Sequence, residues 1–110
     1  MAIAINVFKT VTANLTTVSS EIYTAPSGYT AVVLLAHVSN TGNSIVTVTS
    51  NHVRSGVQTN ILTNAPLPPS DAMTLLSGKL ILQTGDKVNI RASANAAAQI
   101  VLSILETANP

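Results

Sequence analysis

The stretch YTAVVLLAHV, Tyr29 to Val38, decides how the chain is read. It holds no charge, glycine or proline, and Ala31 to Ala36 are six apolar residues in succession. That run is far too short to cross a bilayer, which takes about 20 residues as a helix. Adjacent valines, Ala25-Pro26-Ser27-Gly28 before and Asn40-Thr41-Gly42-Asn43 after favour a short strand over a helix. A strand that is apolar at successive positions shows hydrophobic side chains on both faces. One face then meets the domain's own core, and the other meets a second layer or another chain. Full burial of Val32, Val33, Leu34 and Leu35 would contribute roughly 1.5–3 kcal/mol each, so solvent is expected on neither face.

On the N-terminal side, Ala2 to Thr12 alternates around Ile3, Ile5 and Val7 and reads as a strand. Ala13-Asn14 is a weak turn, and Leu15 to Tyr23 reads as one strand bent near Ser19-Ser20. In Ala25-Pro26-Ser27-Gly28 the proline presets φ and Gly28 can take φ > 0, which makes a turn. On the C-terminal side, Asn40 to Asn43 suggests a hairpin into the alternating Ile45–Ser50, and Asn51 to Gly56 is strand end and turn. Val57 to Thr63 is a short strand. Pro66, Pro68 and Pro69 cannot donate to a ladder, so Asn64 to Asp71 is an extended connector or edge segment. Ser70-Asp71 could cap a helical turn over Ala72–Leu76, in competition with a strand from Met73. Ser77-Gly78 is a turn or bulge, Leu80 to Leu82 a buried strand, and Gln83-Thr84-Gly85-Asp86 a turn pivoting on Gly85. Val88, Ile90 and Ala92 then alternate with polar residues, Ala94 to Ala98 is a loop of small residues, and Gln99 to Glu106 closes the chain before a Thr107–Pro110 tail.

About eight strands with turn signals every 8–12 residues or so are the mark of a β-sandwich or barrel. The expectation is an all-β chain: a single-domain antiparallel β-sandwich over residues 1–110, jelly-roll-like, with short terminal tails. Sandwich edges need protection. With few charges to blunt them, neighbours or the proline connector must cover them.

Charged residues are 8% of the 110, against about 25% in ordinary soluble domains, and the net charge is +1. A near-neutral surface favours association, so a subunit of a crowded assembly is expected. The five basic residues, Lys9, Arg54, Lys79, Lys87 and Arg91, are scattered, and only Phe8, Tyr23 and Tyr29 are aromatic. Neither a basic patch nor a stacking platform is offered to nucleic acid. There is no cysteine, hence neither disulfides nor thiolate metal sites. The first residues lack the basic and sustained apolar segments of a signal peptide.

Nothing in the sequence assembles a reactive centre. Glu21, Asp71, Asp86 and Glu106 read as turn-forming or solvated carboxylates, and no spacing sets up a glycosidase pair. His37 and His52 have no carboxylate or cysteine beside them and read as structural or surface residues. Ser77-Gly78-Lys79 is not a phosphate loop, because position 73 is methionine and no helix pattern follows. Asn14-Leu15-Thr16 fits a glycosylation acceptor but comes without a secretion signal. The expectation is no catalytic, cofactor-binding or metal-binding residue, no cofactor, and no nucleic-acid, membrane or small-molecule partner.

Two segments taken together, Tyr23–Ser50 and Ala65–Ser93, carry a resemblance. A strand enters a Pro/Gly turn and leads to an apolar strand; later come Pro69, Asp71, Leu76, Gly78, Leu82, Gly85 and Asp86 in a proline, Asp, Leu, Gly, Leu, Gly-Asp order. This resembles small β-sandwich structural proteins of tailed bacteriophages, over roughly two thirds of the chain. The resemblance implies a non-enzymatic virion component. It would most readily be a capsid decoration or cement subunit, with a tail, baseplate or fibre module as the alternative. The implied partners are its own copies and major capsid or tail proteins. The roles it transfers are Gly28, Gly78 and Gly85 as pivots and Val32 to Leu35 as core.

Overall fold

The chain turns back on itself at Ser55-Gly56, near its midpoint, and its two halves pair strand for strand. The computed structural model describes residues 6–76 and 78–109, which hold nine strands and no helix. These are β1 (Asn6–Asn14), β2 (Ser20–Thr24), β3 (Tyr29–Asn40), β4 (Val46–Arg54), β5 (Val57–Leu67), β6 (Ala72–Thr74), β7 (Leu80–Leu82), β8 (Lys87–Ala92) and β9 (Ala98–Ala108). Ser55 and Gly56 have φ of 51° and 76°, the doubly positive pair of a two-residue hairpin whose twist suits the flanking strands.

Outward from that hairpin the pairing is nested: β4 with β5, β3 with β6 and β7, β2 with β8, β1 with β9, all antiparallel. Further pairs, β3 with β9 and β4 with β8, roll this ribbon into two sheets. One runs β1-β9-β3-β6, with β7 also on β3; the other runs β2-β8-β4-β5. β6 and β7 lie along the same strand as two pieces of one interrupted strand. Counted as one, they give eight strands in the rolled-hairpin order of a jelly roll.

The core lies between the sheets. Val33, Val38, Ile100, Leu102 and Ile104 from the first sheet meet Val46, Val48, Leu67, Val88 and Ile90 from the second. β3 keeps its place in that core through a bulge. On β9, Val33 and Leu35 face the consecutive residues Ile104 and Ser103, so β3 carries one extra residue. Ala31 and Val33 point inward before it, and Ala36, Val38 and Asn40 after it. Strict alternation would instead have carried Leu35, His37 and Ser39 inward and turned Ala36 and Val38 out.

This corrects the expectation for Val32 to Leu35. Only Val33, 1% exposed, is core; Leu34 and Leu35 are 37% and 44% exposed, and Val32 is half-buried on the outer face. Other expectations shift as well. Asn40–Asn43 is not a hairpin but a crossing between sheets. Buried Asn40 braces it by donating from Nδ2 to the carbonyls of Ser44 (2.8 Å) and Leu67 (2.9 Å) and accepting from the Gly42 N–H (2.9 Å). The second strand shrinks to Ser20–Thr24, and β1 runs through the expected turn to Asn14. β5 continues through Pro66, which an edge strand tolerates. Ala72–Thr74 is strand rather than a helical turn, because it pairs with β3. Gly28 and Gly85 do have positive φ. Ile3, Ile5 and Ser77 lie outside the described residues.

The bulge separates two neighbouring positions. Val33→Asp places an unpaired charge in the core at a cost of several kcal/mol and is expected to abolish the cooperative β-sheet transition in circular dichroism. Leu35→Asp, two residues on, is expected to melt within about 0.5 kcal/mol of the parent at low protein concentration.

Candidate association surface

Register places four apolar side chains in one line across the outer face of the five-stranded sheet. Phe8 on β1 faces Leu105 on β9, Leu105 faces Val32 on β3, and Val32 faces Ile81 on β7. Side chains directly opposite on one face touch, so the line is continuous across four strands. Phe8 is 74% exposed and Ile81 60%. The outward Leu34 and Leu35 adjoin it on β3. They line a notch of about 220 Å³ together with Thr74, Leu76 and Lys79, where the strand on that side is interrupted between β6 and β7.

Polar rows border the line. Asn6, Thr107 and Thr30 stand on one side; on the other, Thr10 and Ser103 share a row with Leu35, and Thr12, His37 and Thr74 share the next with Val101. No described outward position on the strands of this sheet carries Asp, Glu, Lys or Arg. The opposite sheet is different. Glu21, Lys87 and Arg91 occupy its outer face, with Asn89, Asn51 and Asn60 in register across β8, β4 and β5, and the Asn51 amide donates to Asn60 at 2.6 Å.

The buried carboxylates hold segments of the fold together. Asp86, placed by sequence as a solvated turn residue, is buried. Its oxygens accept from Arg54 Nη2 (2.6 Å) and Nε (2.9 Å), His52 Nε2 (3.1 Å) and the Gln83 N–H (2.9 Å). An ionised carboxylate only accepts, and three of these donors converge on Oδ2. The Arg54 guanidinium holds the Asp86 carboxyl far below the usual carboxylate range, against the opposing effect of burial, with His52 and the Gln83 N–H helping. The cluster ties the β7–β8 turn to the β4–β5 hairpin. Glu106, also buried, accepts the Tyr23 hydroxyl and lies 3.2 Å from Lys9 Nζ, joining β9 to β2 and β1. Burial and then Glu106 push the Tyr23 phenol above its ordinary value.

The remaining candidates stay apart. His37 is exposed on the outer face of β3, Asp71 accepts from the Ala72 N–H at 2.8 Å, and Glu21 pairs with Lys87 at 3.0 Å on the surface. Among the described residues no three His, Cys, Asp or Glu side chains come together as a metal site. The apolar line itself is hidden from sequence reading, since Phe8, Val32, Ile81 and Leu105 meet only through register. Glu106 could have been found: it shares parity with Ile100, Leu102 and Ile104, so it must point inward with them.

No family model matches the chain, and no curated protein sequence matches it. Among solved structures, it is similar to a protein of the disulfide-linked pili that form Bacillus endospore appendages. The TM-score is 0.55 at 14% sequence identity, over 94% of this chain and 88% of that one. A pentameric capsid protein from metagenomic phage sequences aligns with TM-score 0.44 and 14% identity, over 89% of this chain and 60% of that one. At such identity the first match speaks for the fold.

Two measurements check the buried clusters. The folded-state pKa of Asp86 is depressed, so its contribution to stability is present above the ordinary carboxylate pKa, near 4, and fades as pH falls below it. Asp86→Asn is expected to cost about 1–3 kcal/mol at neutral pH, given the solvent exposure of Arg54, and to flatten the loss of stability on acidification below about pH 4 in denaturant titrations. Tyr23 is expected to stay protonated until alkaline unfolding. Ultraviolet titration of folded Tyr23→Phe should therefore show the same pre-unfolding phenolate signal as the parent.

Proposed function

We propose that the chain is a non-enzymatic structural subunit of a tailed-bacteriophage particle, a decoration or cement subunit that coats the capsid. The observation that carries this reading is the outer face with its apolar line and no outward charge at any described strand position, on a sandwich whose own core is already filled. Three further features support it. The polar clusters tie segments of the fold together; the jelly-roll order is one that capsid and lectin domains use, a fold-level analogy; and the turn motifs around Pro69–Asp86 resemble those of phage structural proteins. The working mechanism is association. Many copies on a repeating lattice turn shallow contacts into lasting attachment through avidity. These 110 residues contain no cysteine, so such contacts form without disulfides, unlike those of the disulfide-linked appendage protein.

Immunogold electron microscopy on purified particles, with antibody to this chain, tests the reading. Regularly spaced label over the capsid is the expected result. Label confined to the tail or baseplate would replace it with a tail-associated role, and absence from every particle fraction would overturn it.

A further inference from the structure

We infer that the outer face of the five-stranded sheet packs against the same face of a second copy of the chain. This rests on the reading of the chain as an assembly subunit and names the surface and the partner. Charge selects the occupant. A face without a formal charge at any described strand position neither attracts a charged partner nor repels its own duplicate. The opposite sheet, with Glu21, Lys87 and Arg91 outward, would set like charges against each other in many of its self-pairings.

Register makes the face self-complementary. A two-fold axis in the contact plane, parallel to the strands and between β9 and β3, lays the apolar line on its own reverse. Phe8 then meets the second copy's Ile81, and Leu105 meets its Val32. Such pairing is isologous, as two-fold contacts require, and it covers both exposed ends of the line at once. The area is adequate. Strands about 4.8 Å apart rising about 3.3 Å per residue give four strands over nine residues roughly 600 Å² per copy. Two copies bury about 1,200 Å², the lower edge of the range for stable interfaces. The result is a reversible dimer, of the kind an ordered lattice would reinforce.

Light scattering and sedimentation equilibrium from about 10 μM to about 1 mM, a range that brackets weak association, read the result. The wild-type mass is expected to rise from one chain to two. Ile81→Glu and Phe8→Glu are each expected to weaken dimerisation at least about tenfold, since each buries a charge in an apolar contact. Gln58→Glu on the exposed edge strand β5 should leave it unchanged. Circular dichroism reports folding; should Ile81→Glu misfold, Phe8→Glu on the far edge of the sheet decides. In the cysteine-free background, Leu105→Cys should be joined into dimers by a short bis-maleimide and Gln58→Cys should not. A wild type monomeric throughout, or a dimer indifferent to both glutamates, overturns the inference. Particle labelling is a separate readout: a monomer that still decorates capsids defeats this interface and leaves the proposed function standing.

Discussion

The extra residue in β3 is the constraint on which the rest of the structure depends. β3 joins β9, β6 and β7, so its parity sets which side chains enter the core from the middle of the sheet. An apolar run offers no preference of its own between the two faces. The preference comes from the second half of the strand: Ala36, Val38 and Asn40 are needed inside, and His37 and Ser39 are needed outside. Without the bulge, that half of the strand would put an imidazole and a hydroxyl among Leu102, Ile100 and their neighbours. Desolvating them without partners costs more than leaving two leucines wet. The exposed Leu34-Leu35 pair is therefore a consequence of satisfying the core, and it extends the apolar surface outside.

A chain with so few charges uses them where they bind segments together. Asp86 and Glu106 are both buried, and each gathers partners from elements remote in sequence: His52 and Arg54 for the first, Tyr23 and Lys9 for the second. Amides and hydroxyls take the tasks that charges take elsewhere. Asn40 holds the crossing from β3 to β4, and Thr49 fixes the irregular turn of β5 by accepting the Asn64 N–H at 3.0 Å. Edge protection is likewise uncharged. β5 carries Pro66 and register shifts, and β2 is short and bulged. With Asp86 and Glu106 inside and Glu21, Lys87 and Arg91 on the opposite sheet, the described strand positions on the outer face of the five-stranded sheet carry no charge.

How much of this is legible in the residues depends on whether a signal is local. Strand count and class come from alternation and turn residues, and the clean period in Val88, Ile90 and Ala92 reads as it folds. The interrupted strand explains the difference between about eight and nine. Asn40–Asn43 misleads because a turn-rich tetrapeptide looks the same whether the chain returns to its own sheet or steps to the other. Leu15 misleads because a buried leucine in a loop resembles a strand residue; its N–H and carbonyl bond to Ala98 and Ala96, across the whole chain length. Hydrophobicity alone assigns Val32 to Leu35 to burial, and it measures only the tendency to leave water and is silent about what covers the residue. The demand for a second layer or another chain on the far face is the sounder part of that reading. Among the described residues, no such layer is present.

That open face has a physical shape that argues for a specific contact over general stickiness. A jelly roll is complete with two sheets, so a third apolar layer adds nothing to the fold of one copy. Left open, the face raises the hazard of indiscriminate association. Here the hazard is bounded. The line is bordered by asparagine and threonine on one side and by rows of threonine, serine and histidine that also hold Leu35 and Val101 on the other. Sliding a partner by one pair along the strands would bring one copy's Ile81 against Thr10 and the other's against Asn6, leaving those polar groups unpaired at a cost that grows with burial. Polar borders thus turn a hydrophobic strip into a register mark, with specificity set by what the wrong alignment would bury.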